Sequence, residues 1–285
     1  MKNFTFKSTT LFFYIIFLSL IAANAQKLTA EEVITKHLDS IGTKDKRAAI
    51  KNQFILSDLQ FVLKGSAFPS SGKAIVVSEG NKNLWGFNLN NNDYPQDRFG
   101  FDGKDTKVAF TKPGVRSVLG GFIVSYKELL KEGLLGGTLL SSWSLLDTDS
   151  RKAKISYAGT KKIDNRETHV LSYMPKSGTE LTIKMYFDAE NFRHLRTEYT
   201  RFIAARQGRS IDESANQRSD YYQITENFSD FQKINGITLP KTYKLFYSYT
   251  GAARNTNSEM EWTFNITNFS VNQQLDENSF DINAK

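Results

Sequence analysis

Alternation of apolar and polar residues is the feature that most limits how this chain can fold. In the clearest run, Glu180–Asp188, every second residue is apolar, beginning at Leu181. Successive side chains of a β-strand point to opposite faces, so this pattern predicts a strand with one buried face. Ten further runs alternate in the same way: 54–63, 74–79, 84–89, 107–111, 154–158, 168–174, 193–202, 220–228, 242–249 and 260–269.

The spacing of these runs predicts a mainly β (α+β) fold built on one large curved antiparallel sheet. Asp102-Gly103 is a tight hairpin signal, and the other connections are also short, so neighbouring strands should mostly form an antiparallel meander. These signals predict about 11 to 12 strands. A single sheet of this size must curl to bury its apolar face, which predicts an unclosed β-barrel.

Two short helices are predicted to plug this barrel. Thr29-Ala30-Glu31-Glu32 is a capping box, and an apolar stripe with helical spacing follows over 33–41. His37 lies within this helix, where we expect a packed or half-exposed residue rather than a ligand. The second helix is predicted over 117–134, because the apolar spacing becomes helical there.

The segment 117–143 is the strongest functional candidate, because it is the most apolar part of the chain after the N-terminal segment. Its side chains would close a hydrophobic cavity and contact a lipid-like ligand, with Gly133, Gly136 and Gly137 as a lid hinge. The alternative is that the same side chains fill the barrel as core. The candidate ligand-binding residues are Leu119, Phe122, Ile123, Tyr126, Leu130, Leu134, Leu139, Leu140 and Trp143.

The N-terminal residues predict export. Two lysines precede a short apolar run over 11–21, and Ala23-Asn24-Ala25 provides the small residues that a signal peptidase recognises. We therefore expect 1–25 to be a signal peptide that is cleaved after Ala25. The mature chain, 26–285, is predicted to be one periplasmic domain, because no linker rich in Pro or Gly interrupts it. No cysteine follows the cleavage site, so we expect no lipid anchor.

Composition and charge exclude several classes of site. The chain has no cysteine and only 3 histidines, which excludes thiolate ligands and disulfides and argues against a multi-histidine metal centre. The net charge of +7 includes two lysines of the predicted signal peptide, and the other basic residues are spread along the chain. We therefore expect no nucleic-acid partner, no metal and no cofactor.

One group of polar residues is a candidate for proton-transfer chemistry. His194, Arg196 and Glu198 are two residues apart, so they are predicted to point to one face of a strand. There is no nucleophile elbow and no second carboxylate at a fixed spacing. We therefore favour a solvated outer face for these residues, a structural role for His169, and a protein that is not an enzyme.

Positive charge near the apolar segment suggests a membrane contact. Arg116, Lys127 and Lys131 would meet acidic head groups if this part of the protein approached a membrane. The alternative is an ordinary solvated helix face, because neighbouring glutamates balance the charge. A polar run over 204–219 predicts a long mobile hairpin loop.

Three stretches together resemble a known family. They are Lys-Lys-Ile-Asp-Asn-Arg-Glu-Thr-His-Val-Leu at 161–171, Met-Tyr-Phe-Asp-Ala-Glu-Asn-Phe-Arg-His-Leu-Arg at 185–196, and the strand pair at 224–240 that ends Gly-Ile-Thr-Leu-Pro. In this order and spacing they resemble the outer-membrane lipoprotein-sorting family of periplasmic lipoprotein carriers. The resemblance implies an unclosed antiparallel barrel with helices in its mouth and a hydrophobic cavity that carries acyl chains. Typical carriers are shorter than this chain, and no lipoprotein-contacting residue of the family maps onto it.

These observations predict an exported periplasmic carrier or binding protein. Its ligand would be lipid-like or acylated, held between the curved sheet and the apolar helical segment 117–143, and it would make transient contact with a membrane or an envelope protein. One alternative is a structural or protein-interaction module of the cell envelope, with a filled barrel and no small ligand. Another is an outer-membrane β-barrel, against which the helical segments and the charged polar faces of several strands argue.

Overall fold

The computed structural model describes residues 28–66, 68–205, 219–251, 258–276 and 278–283. The predicted signal peptide, 1–25, and most of the predicted loop 204–219 lie outside the described residues. Twelve strands within them form one sheet: β1 (Asn52–Leu63), β2 (Ser70–Glu79), β3 (Lys82–Leu89), β4 (Gln96–Phe101), β5 (Thr106–Val108), β6 (Lys154–Ile163), β7 (Arg166–Met174), β8 (Thr182–Asp188), β9 (His194–Ile203), β10 (Asp220–Ile234), β11 (Ile237–Thr250) and β12 (Ser258–Val271).

The sheet is an antiparallel meander with one long-range pairing. Its order is β5-β4-β3-β2-β1-β12-β11-β10-β9-β8-β7-β6, so only the β1–β12 neighbours are not consecutive in the chain. The two edge strands, β5 and β6, are adjacent in sequence but not paired, and the sheet is curved without closing. The mainly β fold and the unclosed barrel predicted from the alternation are therefore confirmed.

Short helices pack into the mouth and the interior of this sheet. They are α1 (Ala30–Ile41), α2 (Lys44–Ala48), α3 (Val118–Ser125), α4 (Glu128–Lys131) and α5 (Thr148–Arg151), with 3-10 turns at Gly137–Leu139 and Ser144–Leu146. All except α1 and α2 belong to the segment that connects β5 to β6, which we call the insert. No helix in the described part of the chain combines the length and the apolarity that a membrane span needs.

The capping box that predicts α1 is present. Thr29 Oγ1 accepts a hydrogen bond from the Glu32 backbone N–H at 3.2 Å, and the Glu32 carboxylate accepts one from the Thr29 N–H at 2.8 Å. The helix buries Val33 and Ile41 of the predicted apolar stripe together with His37, whereas Ile34 and Leu38 of that stripe are half-buried.

The prediction of one continuous helix over 117–134 is wrong. The helix α3 ends at Tyr126, whose φ of −127° and ψ of 63° leave the helical region, and α4 is a single turn. Leu129 and Leu135 lie outside the predicted stripe yet are buried to 1% exposure or less, so apolar residues point in several directions. Breaks at Tyr126 and at Gly133, whose φ is 60°, let the chain turn and bury all of them.

Candidate functional site

The nine residues predicted to contact a ligand all lie in the core of the barrel. None is more than 5% exposed, and all nine belong to one apolar cluster with the inward-facing residues of the sheet. Leu119 also lines a pocket at one end of the barrel. The insert thus packs as the core alternative describes, and ligand contact by these residues stays a prediction.

An open pocket lies where the insert meets the first two helices, and we call it the helix pocket. It has a volume of about 400 Å³ between α1, α2, β1, β11 and the C-terminal half of the insert. Its apolar walls are formed by Leu38, Ile41, Ile50, Leu146, Ile237 and Leu239. The remaining lining residues are Lys44, Arg47, Ala48, Gln53, Thr138 and Ser141.

The corner between α1 and α2 fixes one wall of the helix pocket. The Arg47 guanidinium donates to the backbone carbonyl of Leu38 at 2.6 Å and also to that of Gly42, which ties α2 to the end of α1. Gly42 sits so close to the β10–β11 turn that a Cβ there would lie 3.0 Å from the Gly236 carbonyl oxygen. Glycine at position 42 therefore lets the corner approach β11.

Polar contacts tie the insert to the sheet at the base of the helix pocket. Gln53 is buried at 4% exposure, and its amide donates to the Thr138 carbonyl at 3.3 Å. The backbone N–H of Ser141 donates to the Ser78 hydroxyl at 2.8 Å. These contacts hold the insert against β1 and β2, so the base of the pocket is fixed by hydrogen bonds as well as by apolar packing.

The charge of the helix pocket is positive. Lys44 and Arg47 both line it, and none of the residues that line it is acidic. The nearest acidic partner of Arg47 is Asp39, at 3.8 Å, whose side chain is 71% exposed. Because the Asp39 side chain is largely exposed, solvent screens this ion pair, and it neutralises little of the positive charge of the helix pocket.

A second pocket, which we call the end pocket, lies at the opposite end of β1. It has a volume of about 330 Å³, and its walls include Phe61, Leu119 and Trp262. Phe68, on its rim, is 82% exposed. The end pocket borders the start of α3, where the Arg116 guanidinium lies 4.2 Å from the centre of the Phe110 ring. The predicted membrane contact of Arg116, Lys127 and Lys131 stays a prediction.

A buried carboxylate on β10 anchors the insert to the sheet. Glu226 on β10 is fully buried and accepts hydrogen bonds from the Gly136 N–H at 2.5 Å, the Tyr199 hydroxyl at 2.7 Å and the Tyr243 hydroxyl at 2.8 Å. Burial raises the pKa of Glu226 to about 7, although the three donors act in the opposite direction. The sequence indicates that this carboxylate is buried, because Glu226 lies two residues from Ile224 and from Phe228 and therefore on the same, inward face of the strand.

His194, Arg196 and Glu198 do not share one face of β9, so that prediction is wrong. Consecutive residues of β8 lie opposite Arg196 and His194, which leaves Leu195 as the extra residue of a β-bulge. An extra residue reverses the parity of a strand. His194 is therefore buried at 1% exposure, whereas Arg196 and Glu198 lie on the other face, 3.8 Å apart.

The histidines are packed inside the protein. His37 Nδ1 lies 2.7 Å from the Phe192 carbonyl oxygen, and burial lowers the pKa of His37 to about 4. The Trp143 ring packs against both His37 and His194, with ring centres 4.9 and 5.1 Å away, and burial lowers the pKa of His194 as well. His169 contacts the Tyr157 hydroxyl at 3.1 Å. The described residues contain no group of three or more His, Asp or Glu side chains that could hold a metal ion.

Comparison with known proteins finds similar folds only among solved structures. No family model matches the chain, and no curated protein is detectably similar to it. A LolA superfamily protein from Nitrosomonas europaea is 15% identical, with a TM-score of 0.47 over 89% of this chain and 97% of that one. A domain assigned to outer membrane lipoprotein sorting from Vibrio parahaemolyticus is 13% identical, with a TM-score of 0.45 over 88% and 97%.

A DUF1329 family protein from Desulfovibrio piger is 11% identical, with a TM-score of 0.42 over 88% of this chain and 97% of that one. The first two of these proteins carry the names of the family that the sequence motifs resemble. Because all three TM-scores are below 0.5, we assign the fold of this chain from its own strand order and not from these similarities.

Proposed function

We propose that the protein is an exported periplasmic carrier that binds a lipid-like or acylated hydrophobic ligand in the helix pocket. The observation that supports this is an apolar recess of about 400 Å³ that the insert leaves unfilled between itself, the sheet and α1. Pockets for small ligands have volumes of about 300–1,000 Å³ and mostly apolar walls. Burial of an acyl chain stabilises a complex by about 25 cal/mol for each Å² removed from water.

The second candidate function is a structural or interaction module of the cell envelope without a small ligand. The packing of the insert favours it, because all nine predicted contact residues are at most 5% exposed. The two functions differ in what they require of the helix pocket. A carrier needs the pocket to accept a ligand, whereas a module with a filled barrel does not.

Displacement of a fluorescent fatty acid from the mature chain, 26–285, tests the proposal. The blocking variant is Ala48→Trp, because Ala48 lines the helix pocket and is exposed at the end of α2. The control is Ala49→Trp, because Ala49 is also exposed but does not line the pocket. We expect saturable binding by the wild type and by Ala49→Trp, and at least about a tenfold loss in Ala48→Trp, which corresponds to about 1.4 kcal/mol.

Three results would count against the proposal. Absence of saturable binding, with no lipid bound to the purified protein, favours the structural module. Equal binding by both tryptophan variants places any ligand outside the helix pocket. Loss of binding in Val118→Trp instead of Ala48→Trp moves the ligand to the end pocket, which Val118 lines.

A further inference from the structure

The helix pocket has the charge distribution of a site for an amphiphile. Its walls are apolar, whereas its cations, Lys44 and Arg47, lie together on α2 at one side. No acidic residue lines it. Asp45 belongs to the same helix but does not line the pocket, so it does not cancel this local charge from within.

The two cations differ in how firmly they are held. The Arg47 guanidinium is fixed by the carbonyls of Leu38 and Gly42, and its side chain is 16% exposed. Lys44 is exposed in the first turn of α2 and forms no ion pair within the described residues. Arg47 therefore supplies a preorganised charge at the wall, and Lys44 supplies a movable one at the rim.

We propose that the ligand of the helix pocket is an anionic amphiphile, a single acyl chain with a carboxylate or phosphate head group. The chain lies against the apolar walls, and the head group accepts charge-assisted hydrogen bonds from Lys44 and Arg47. This inference rests on the proposed function, and it adds the chemical class of the ligand. A neutral head group leaves Lys44 without an ion pair and adds none to Arg47, and a cationic head group is repelled by both side chains.

The selectivity expected from this arrangement is modest, because both cations lie near solvent. Exposed ion pairs contribute about 0.2–1 kcal/mol each, which corresponds to a few-fold difference in affinity for each pair. With two cations we expect the anionic ligand to bind about five- to tenfold more tightly than a neutral ligand of equal chain length.

The test compares head groups on one alkyl chain. The assay titrates a complex of the mature chain with a fluorescent fatty acid at low salt and measures displacement of the probe. The competitors are hexadecanoate, hexadecanol and hexadecyltrimethylammonium, and inorganic phosphate serves as the free anion. The variant is Lys44→Glu. The matched control is Lys46→Glu, which changes the net charge equally on the same helix. The methylene carbons of Lys46 lie over Gly236 instead of lining the pocket.

We expect hexadecanoate to bind best, with a loss of about five- to tenfold in Lys44→Glu, which replaces one attraction by a repulsion of similar size, and little change in Lys46→Glu. Equal binding of hexadecanoate and hexadecanol, with equal effects of the two variants, overturns the anionic ligand and leaves the proposed function standing. Tighter binding of the cationic amphiphile overturns it too, as does displacement by inorganic phosphate alone. If none of the amphiphiles binds, the proposed function itself fails.

Discussion

Replacing Glu226 with glutamine tests how the insert is anchored. Oε1 of Glu226 accepts from the Gly136 N–H and from the Tyr243 hydroxyl, and Oε2 accepts from the Tyr199 hydroxyl. The Tyr199 oxygen also lies 2.8 Å from the Leu134 carbonyl oxygen. Tyr199 can therefore donate to Leu134 while it accepts a hydrogen bond from a protonated Glu226 or from a glutamine amide. The cluster accommodates a neutral side chain at this position without losing a partner.

The size of the stability change follows from the pKa of Glu226, which burial raises from 4.5 to about 7. A group whose pKa is raised in the folded state binds its proton more tightly there, so the folded state is favoured at low pH. This stability is fully present below pH 4.5 and is lost as the pH rises through 7. At about 1.4 kcal/mol for each pH unit, the loss is about 3 kcal/mol by pH 8.

Urea unfolding between pH 4.5 and pH 8, followed by tryptophan fluorescence, measures this loss. Trp85, Trp143 and Trp262 are all fully buried, so unfolding changes their emission. We expect Glu226→Gln to match the wild type near pH 4.5 and to be about 3 kcal/mol more stable near pH 8. Glu198→Gln, on the opposite face of the neighbouring strand, is the control and should keep the wild-type trend. A constant difference between wild type and Glu226→Gln across this range would refute the reasoning.

Two further predictions concern His37, which packs against the insert, and Gly136, which lies within it. Burial lowers the pKa of His37 to about 4, so the wild type should lose about 3 kcal/mol as the pH falls from 6.5 through 4. His37→Asn keeps a donor for Phe192 and should lack this loss in acid unfolding titrations; an unchanged slope would contradict it. Gly136→Ala should destabilise the fold by at least about 2 kcal/mol in urea unfolding, because φ is 88° and a Cβ would lie 2.7 Å from the Trp85 ring. Gly65→Ala, with φ of 89° and no atom within 4 Å, is its control, and equal losses in both variants would exclude the Trp85 contact as the cause.

Period-two alternation was sufficient to predict the fold, because each inward-facing residue obeys the same local rule. The run at 180–188 corresponds to β8, and its apolar members Leu181, Ile183, Met185 and Phe187 are all buried. The pairing of β1 with β12 joins the two halves of the sheet and spans most of the chain. No local pattern specifies that pairing, but once the meander is predicted, few other neighbours are left for these strands.

Sites are harder to predict, because one extra residue changes which side chains meet. The bulge at Leu195 places His194 in the core with Trp143 and leaves Arg196 on the other face. Residue spacing alone does not reveal a bulge. The helix pocket was missed for a different reason, since it combines α1, α2, β1, β11 and the insert. Its residues lie far apart in the sequence and become neighbours only when the sheet curls.

The position of the insert explains why we expect the ligand beside it and not beneath it. At the start of the insert, the buried Asp97 on β4 accepts from the Ser117 hydroxyl, and Ser117 in turn accepts from the Gly120 N–H at 2.7 Å to cap α3. Further along the insert, Glu226 holds Gly136. Breaking these hydrogen bonds would leave a buried carboxylate without its donors, which costs about 1–3 kcal/mol for each group. Between these two anchors the insert is core, whereas beyond Gly136 Thr138, Ser141 and Leu146 also line the helix pocket. We therefore expect a ligand of this pocket to leave both anchors in place.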